Sequence, residues 1–181
     1  MRNRYFIAHL LAAPVAKYHE GLVRELAEKF DLKMSSGYFP THITLKAPFE
    51  ADDEEIPAVR QALQETTQTS VAPGYTICGF GHLGRRVITL DVVHSREAEY
   101  MHDRLIKKLK AIPFLTWGSH EPIMHLHITL AKKDIEPKFD KVWEYLKQKE
   151  TPAFHRSLDN IVLLRKENDA WVVDSQYATP L

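Results

Sequence analysis

A single cysteine, Cys78, in a chain of 181 residues excludes an internal disulfide. It lies in an apolar stretch, Tyr75 to Phe80, so the sequence predicts a buried, reduced thiol. An excess of charge of one sign is also missing: 24 basic residues stand against 24 acidic ones. Without a global positive field, long duplex nucleic acid is not an expected partner, because its phosphates carry most of the affinity. A small nucleotide or an RNA end needs only the local charge of a pocket. No window approaches the roughly 20 apolar residues of a membrane span, so no membrane partner is expected. Low-complexity tracts and linker-like stretches are lacking too. What remains is 44% hydrophobic and 27% charged, an ordinary globular composition with length enough for a core.

The N-terminus begins with Arg2 and Arg4 followed by an apolar run, which superficially resembles a signal peptide. His9 interrupts that run, and the segment has a counterpart later in the chain. It is read as the first strand of the fold, and the protein is expected in the cytoplasm.

Periodicity predicts alternating strands and helices. Strands are expected at 5–11, 42–48, 75–80, 86–93, 126–131, 157–164 and 170–177. Helices are expected at 15–30, 53–67, 97–112 and 138–149. The order recurs: Arg86-Val-Ile-Thr-Leu-Asp-Val-Val stands where Arg4-Tyr-Phe-Ile-Ala-His-Leu-Leu stood, and corresponding elements lie roughly 80 residues apart. The expected fold class is therefore α+β, a single domain of two pseudo-symmetric lobes, 1–85 and 86–181 by the repeat. Each lobe is an antiparallel sheet with helices on its outer face, related by an approximate two-fold axis across a central cleft.

The repeat contains one tetrapeptide twice, as His42-Ile43-Thr44-Leu45 and His127-Ile128-Thr129-Leu130. A lone His-x-Thr arises about once by chance in such a composition, whereas His-Ile-Thr-Leu is expected only about 0.004 times per chain. On a strand, residues two apart share a face, so each His and Thr project together while the aliphatic pair points the opposite way into the core. Two lobes meeting across a two-fold axis bring both His/Thr pairs to one cleft. That suits in-line displacement at phosphorus, which needs a base behind the phosphate and an acid in front. Histidine titrates near neutrality and fills either role. Threonine hydroxyls donate hydrogen bonds to the non-bridging oxygens, where charge concentrates. Neither a metal nor a covalent intermediate is required.

With these motifs the chain resembles the 2H phosphoesterase superfamily, in particular its 2′-5′ RNA ligase / RNA 2′,3′-cyclic phosphodiesterase (LigT-like) branch. The likeness extends to the opening Arg4-Tyr-Phe-Ile-Ala strand, to Gly79-Phe80-Gly81-His-Leu-Gly84-Arg85-Arg86, and to a closing strand ending near Tyr177 and Leu181. The resemblance implies a bilobal fold with His42 and His127 as the acid/base pair and Thr44 and Thr129 as phosphate-binding hydroxyls. It implies work without metal or cofactor and the opening of a 2′,3′-cyclic phosphate, on an RNA terminus or a small nucleotide, to a 2′-phosphate. Some relatives cleave 2′-5′ linkages or ligate RNA ends. A monomer fits the family.

Further candidates surround the motifs. His125 shares the face of His127. Arg85, with Arg86 and Arg165, offers cationic help, and Tyr38, Phe39 and Trp117 offer rings on which a base stacks. Specificity is expected from the loops 33–41, 81–85 and 113–125.

Three rival readings are open. A histidine-triad hydrolase fits His125-Leu-His127 but has Thr129 where a third histidine belongs. A metal hydrolase would use His42, His120, His125 and His127, yet neither motif carries a carboxylate at ligand spacing. A nucleotide- or RNA-end-binding module without catalysis would have no use for a matched acid/base pair.

Overall fold

The computed structural model describes residues 2–33, 39–118, 121, 124–132 and 134–181. Eight strands and four α-helices follow in chain order among these residues: β1 (Arg2–Leu10), α1 (Val15–Phe30), β2 (His42–Asp52), α2 (Ile56–Gln68), β3 (Gly74–Leu83), β4 (Val87–His94), α3 (Arg96–Lys110), β5 (His127–Lys132), α4 (Phe139–Lys147), β6 (Ala153–Ser157), β7 (Asn160–Glu167) and β8 (Ala170–Ala178). The strands form two four-stranded sheets, ordered β2-β1-β7-β8 and β5-β4-β3-β6. Every pairing is antiparallel. The α+β architecture of two sheets with helices is the one the sequence predicts.

The sheets do not divide where the repeat does. β3, in the first half of the sequence, belongs to the second sheet, and the closing β7–β8 hairpin completes the first. The cause is local. β3 and β4 are joined by a tight turn in which Gly84 adopts a φ of 56°, a conformation easy only for glycine, so they pair as a hairpin. β1 is thereby left with one free edge, which β7 fills. With both faces of β1 covered, Tyr5 through His9 are all buried.

One continuous core joins the two lobes. Ile7, Ile43 and Leu45 of the first sheet, Ile88, Leu90, Ile128 and Leu130 of the second, and the apolar stripes of the helices all belong to it. A smaller cluster of Phe6, Ala8, Val162, Leu164 and Trp171 lies apart, with Leu10 and Phe39 packed against it. Helix α1 leans on β5 and α2 on β7 and β8, so helices from the first half cover strands contributed by the second.

Three expectations need correction. Cys78 is exposed, because alternation along β3 turns Tyr75 and Ile77 to the core and Cys78 outward. Helix α2 begins at Ile56, and the acidic residues ahead of it form a turn in which the Glu55 carboxylate accepts the Asp52 amide at 2.8 Å. Strand β6 was not anticipated: Ala-Phe-His-Arg-Ser shows no alternation, and it forms an exposed edge. No helix among the described residues is long and apolar enough to cross a membrane.

Candidate active site

Both tetrapeptides lie on strands, and both strands bulge at the same place. In the first sheet Ile7 faces Lys46 and Ala8 faces Thr44, which leaves Leu45 as the extra residue. In the second, Ile88 faces Ala131 and Thr89 faces Thr129, which leaves Leu130 extra. A bulge re-aims the side chains beyond it. Hence Leu45 and Lys46 are both buried, as are Leu130 and Ala131. The next residue on each strand, Ala47 or Lys132, emerges on the side of the motif His and Thr.

The two imidazoles are held alike. Nδ1 of His42 lies 2.7 Å from the Pro40 carbonyl oxygen, and Nδ1 of His127 lies 3.0 Å from that of His125. A carbonyl only accepts, so Nδ1 carries the proton in both rings and the neutral form leaves the Nε2 lone pair available for proton transfer. His42 lines a pocket together with Thr44, Thr129, Lys132, Phe39, Pro40 and His19. His127 is near enough that a charge on it disfavours a charge on His42.

The rings differ in setting. His42 lies among aromatic side chains, 5.1 Å from the Phe6 ring and 5.7 Å from that of Phe39, measured between centroids. Trp171 packs edge-on against Phe6 at 4.6 Å. Burial, with help from the charges of Lys132, His19 and His127, pushes the His42 pKa down to about 4 against the opposing Pro40 hydrogen bond. Burial also lowers His127, while the His125 carbonyl and Asp91 act to raise it. The Asp91 carboxylate accepts from the Thr89 hydroxyl at 3.1 Å and packs against Gly81, where a Cβ would lie 1.8 Å from Oδ1. Only glycine fits there unless Asp91 moves.

Of the other candidates, Phe39 and His125 are brought to the site. Phe39 stacks on His42, its ring 5.3 Å from the Lys132 ammonium, and His125 Nδ1 lies 3.3 Å from His127 Nδ1. Arg85 is placed elsewhere: its guanidinium makes a two-pronged contact with Asp140, at 2.7 and 2.6 Å, and lies over Phe139. Arg86 faces Glu136 and Arg165 faces Glu167. Trp117 packs on the main core beneath the Lys46 ammonium, 4.7 Å from its ring. Tyr38 and His120 lie outside the described residues. Among the described residues no three His, Cys, Asp or Glu side chains converge as a metal site would require.

Sequence reasoning missed Lys132, Phe6, Trp171, Asp91 and His19. Simple alternation assigns Lys132 to the buried face with Ile128 and Leu130, and only the bulge reverses it. For His19 a signal was present: it lies on the face of α1 made by Val15, Leu22, Val23 and Leu26, where a polar residue has to find partners.

The family model of the 2′-5′ RNA ligase superfamily matches residues 14–170. A provisionally named phosphoesterase of Geobacillus sp. (strain WCH70) is 27% identical over 164 residues, 88% of this chain and 91% of that protein. A second, from Geobacillus kaustophilus (strain HTA426), is 27% identical over 156 residues, 83% and 86% of the two chains. Among solved structures, that of E. coli LigT complexed with 3′-AMP superposes with a TM-score of 0.63 at 15% identity, covering 100% of both chains. A protein of Thermus thermophilus gives 0.61 at 16% identity over 97% of each chain. Likeness at such identities establishes a shared fold.

Proposed function

The chain belongs to the 2′-5′ RNA ligase superfamily, and on that premise we propose that it is a phosphoesterase that opens 2′,3′-cyclic phosphates by two-histidine acid/base catalysis. The observation that carries this is the equivalent anchoring of His42 and His127. Each gives Nδ1–H to a backbone carbonyl two residues upstream. Support also comes from the provisional names of the Geobacillus relatives and from the nucleotides complexed with E. coli LigT, 3′-AMP and ATP.

In the proposed reaction, Nε2 of one imidazole takes a proton from water as its oxygen bonds to phosphorus. The P–O3′ bond breaks on the opposite side, and the leaving oxygen receives the proton held on Nε2 of the other imidazolium. The product is a 2′-phosphate. Thr44 and Thr129 donate to the non-bridging oxygens, where hydrogen bonds strengthen as charge develops. Lys132 adds a positive charge on the same side, and the Phe39 ring offers a stacking surface for a base. With a 5′-hydroxyl in place of water as the attacking oxygen, and the P–O3′ bond again the one that breaks, the same groups would join RNA ends through a 2′-5′ linkage. A small nucleotide or an RNA terminus is the substrate class.

The test is a substrate panel without added metal: 2′,3′-cyclic mononucleotides, RNA with a cyclic phosphate end, 2′-5′ oligoadenylate and ADP-ribose 1″,2″-cyclic phosphate. Turnover of at least one is expected, and binding of all without turnover of any would instead identify a binding module.

A further inference from the structure

Helix α1 contributes a buried histidine to which the proposed reaction gives no part. His19 sits among the aliphatic side chains of the core-facing stripe of α1. A buried polar group left unpaired costs about 1–3 kcal/mol, so both ring nitrogens need partners. They find one just ahead of the first motif and one within the second. Nδ1 lies 3.0 Å from the hydroxyl of Thr41, the residue before His42. Nε2 lies 2.8 Å from the carbonyl oxygen of Thr129 in the second motif. The carbonyl accepts from Nε2–H, and Nδ1 of the neutral ring accepts from the Thr41 hydroxyl. Burial favours that neutral ring.

β2 and β5 belong to different sheets, and no backbone ladder joins them. Their relative placement, and with it the distance between the His42 and His127 rings, is set by side chains. We propose that His19 is a positioning residue that clamps the start of β2 to β5 and so sets the separation of the two motif histidines. This rests on the two-histidine phosphoesterase reading for the meaning of that separation. In such a reaction about 1 Å of misplacement can lower the rate a hundredfold.

Three variants test it: His19→Leu, which keeps bulk and removes both bonds; His19→Gln, whose amide can still donate to the Thr129 carbonyl; and His102→Leu as a control. His102 is another buried histidine, on α3, whose Nδ1 has no hydrogen-bond partner among the described residues. On a 2′,3′-cyclic nucleotide, folded His19→Leu is expected to lose about tenfold or more in kcat with KM little changed. His19→Gln should regain most of that loss, and His102→Leu should keep wild-type kcat. Wild-type kcat in folded His19→Leu, an equal loss in His102→Leu, or no recovery in His19→Gln would overturn the clamp.

A wild type that turns over no cyclic phosphate would refute the phosphoesterase reading without touching the clamp, which ring-nitrogen NMR then decides. The expected spectrum shows His19 protonated on Nε2, and the His42 and His127 signals move in His19→Leu but not in His102→Leu. Unmoved signals in a folded His19→Leu protein overturn the proposal.

Discussion

Asp91 stands directly opposite His127 on the β4–β5 ladder. The matching neighbour of His42, on β1, is Leu10. Two copies of one motif thus differ in charge: a carboxylate attends one imidazole, and an aromatic cluster surrounds the other. His125, Lys132 and His42 also act on His127, and among its influences Asp91 favours the protonated ring. Asp91→Asn is expected to move the His127 titration to lower pH, read by NMR of the ring nitrogens. An unchanged or raised titration would show that the carboxylate does not act on it.

Lys132 faces the same pocket as His42, and its charge holds His42 down. Lys132→Met should therefore raise the His42 pKa. It should also weaken inorganic phosphate binding by roughly tenfold, the weight of one hydrogen bond to a charged group. Calorimetric titration with phosphate measures the second effect. Unaltered affinity would remove Lys132 from the anion site.

The fold of this protein was legible in those stretches where one face of an element meets the core. Alternation marks β2 and β5, a short apolar run marks β1, and the stripe of Leu22, Val23 and Leu26 marks α1. The His-Ile-Thr-Leu pair was legible because an exact repeat needs no geometry to be noticed. Lys132 was not, since the extra residue at Leu130 reverses its side without any mark in composition. Nor was the exchange of β3 and β7–β8 between sheets, because pairing partners far apart in sequence are chosen by which edges remain free. Arg85 reads as an available cation until α4 brings Asp140 to it.

Acid should weaken the fold. His9, His19, His42, His102 and His127 all titrate below the ordinary histidine value, each chiefly through burial. Above about pH 6.5 these rings are neutral in both the folded and unfolded chain, so they add no pH dependence. Below it the unfolded chain takes up protons that the folded one refuses, and stability falls with a slope of about 1.4 kcal/mol per pH unit for each such ring. For His42 the fall continues until pH about 4, where the folded ring also takes its proton. Urea unfolding at pH 7 and pH 5 should show lower stability at pH 5, and a flat profile would contradict these shifts.

Lys46 occupies the buried position that Ala131 holds in the other motif strand. Its ammonium lies 2.6 Å from the Glu121 carboxylate, which also accepts the amides of Ala47 at 3.1 Å and Gly118 at 2.6 Å. Glu121→Ala strands a buried ammonium and should destabilise the protein by about 3 kcal/mol or more, whereas Lys46→Met paired with Glu121→Gln should be far milder. Denaturant midpoints distinguish the two, and an equal effect would mean that the stranded ammonium is not the source of the loss.

The most direct measurement is turnover of a 2′,3′-cyclic nucleotide, with a chelator present, by wild type, His42→Ala, His127→Ala and the double variant. If both imidazoles act on one phosphorus, each single replacement loses at least about a hundredfold. The double then loses little more than either, since groups that work as a unit are not additive. Near-wild-type turnover by either single variant, or activity that the chelator abolishes and zinc restores, would contradict it.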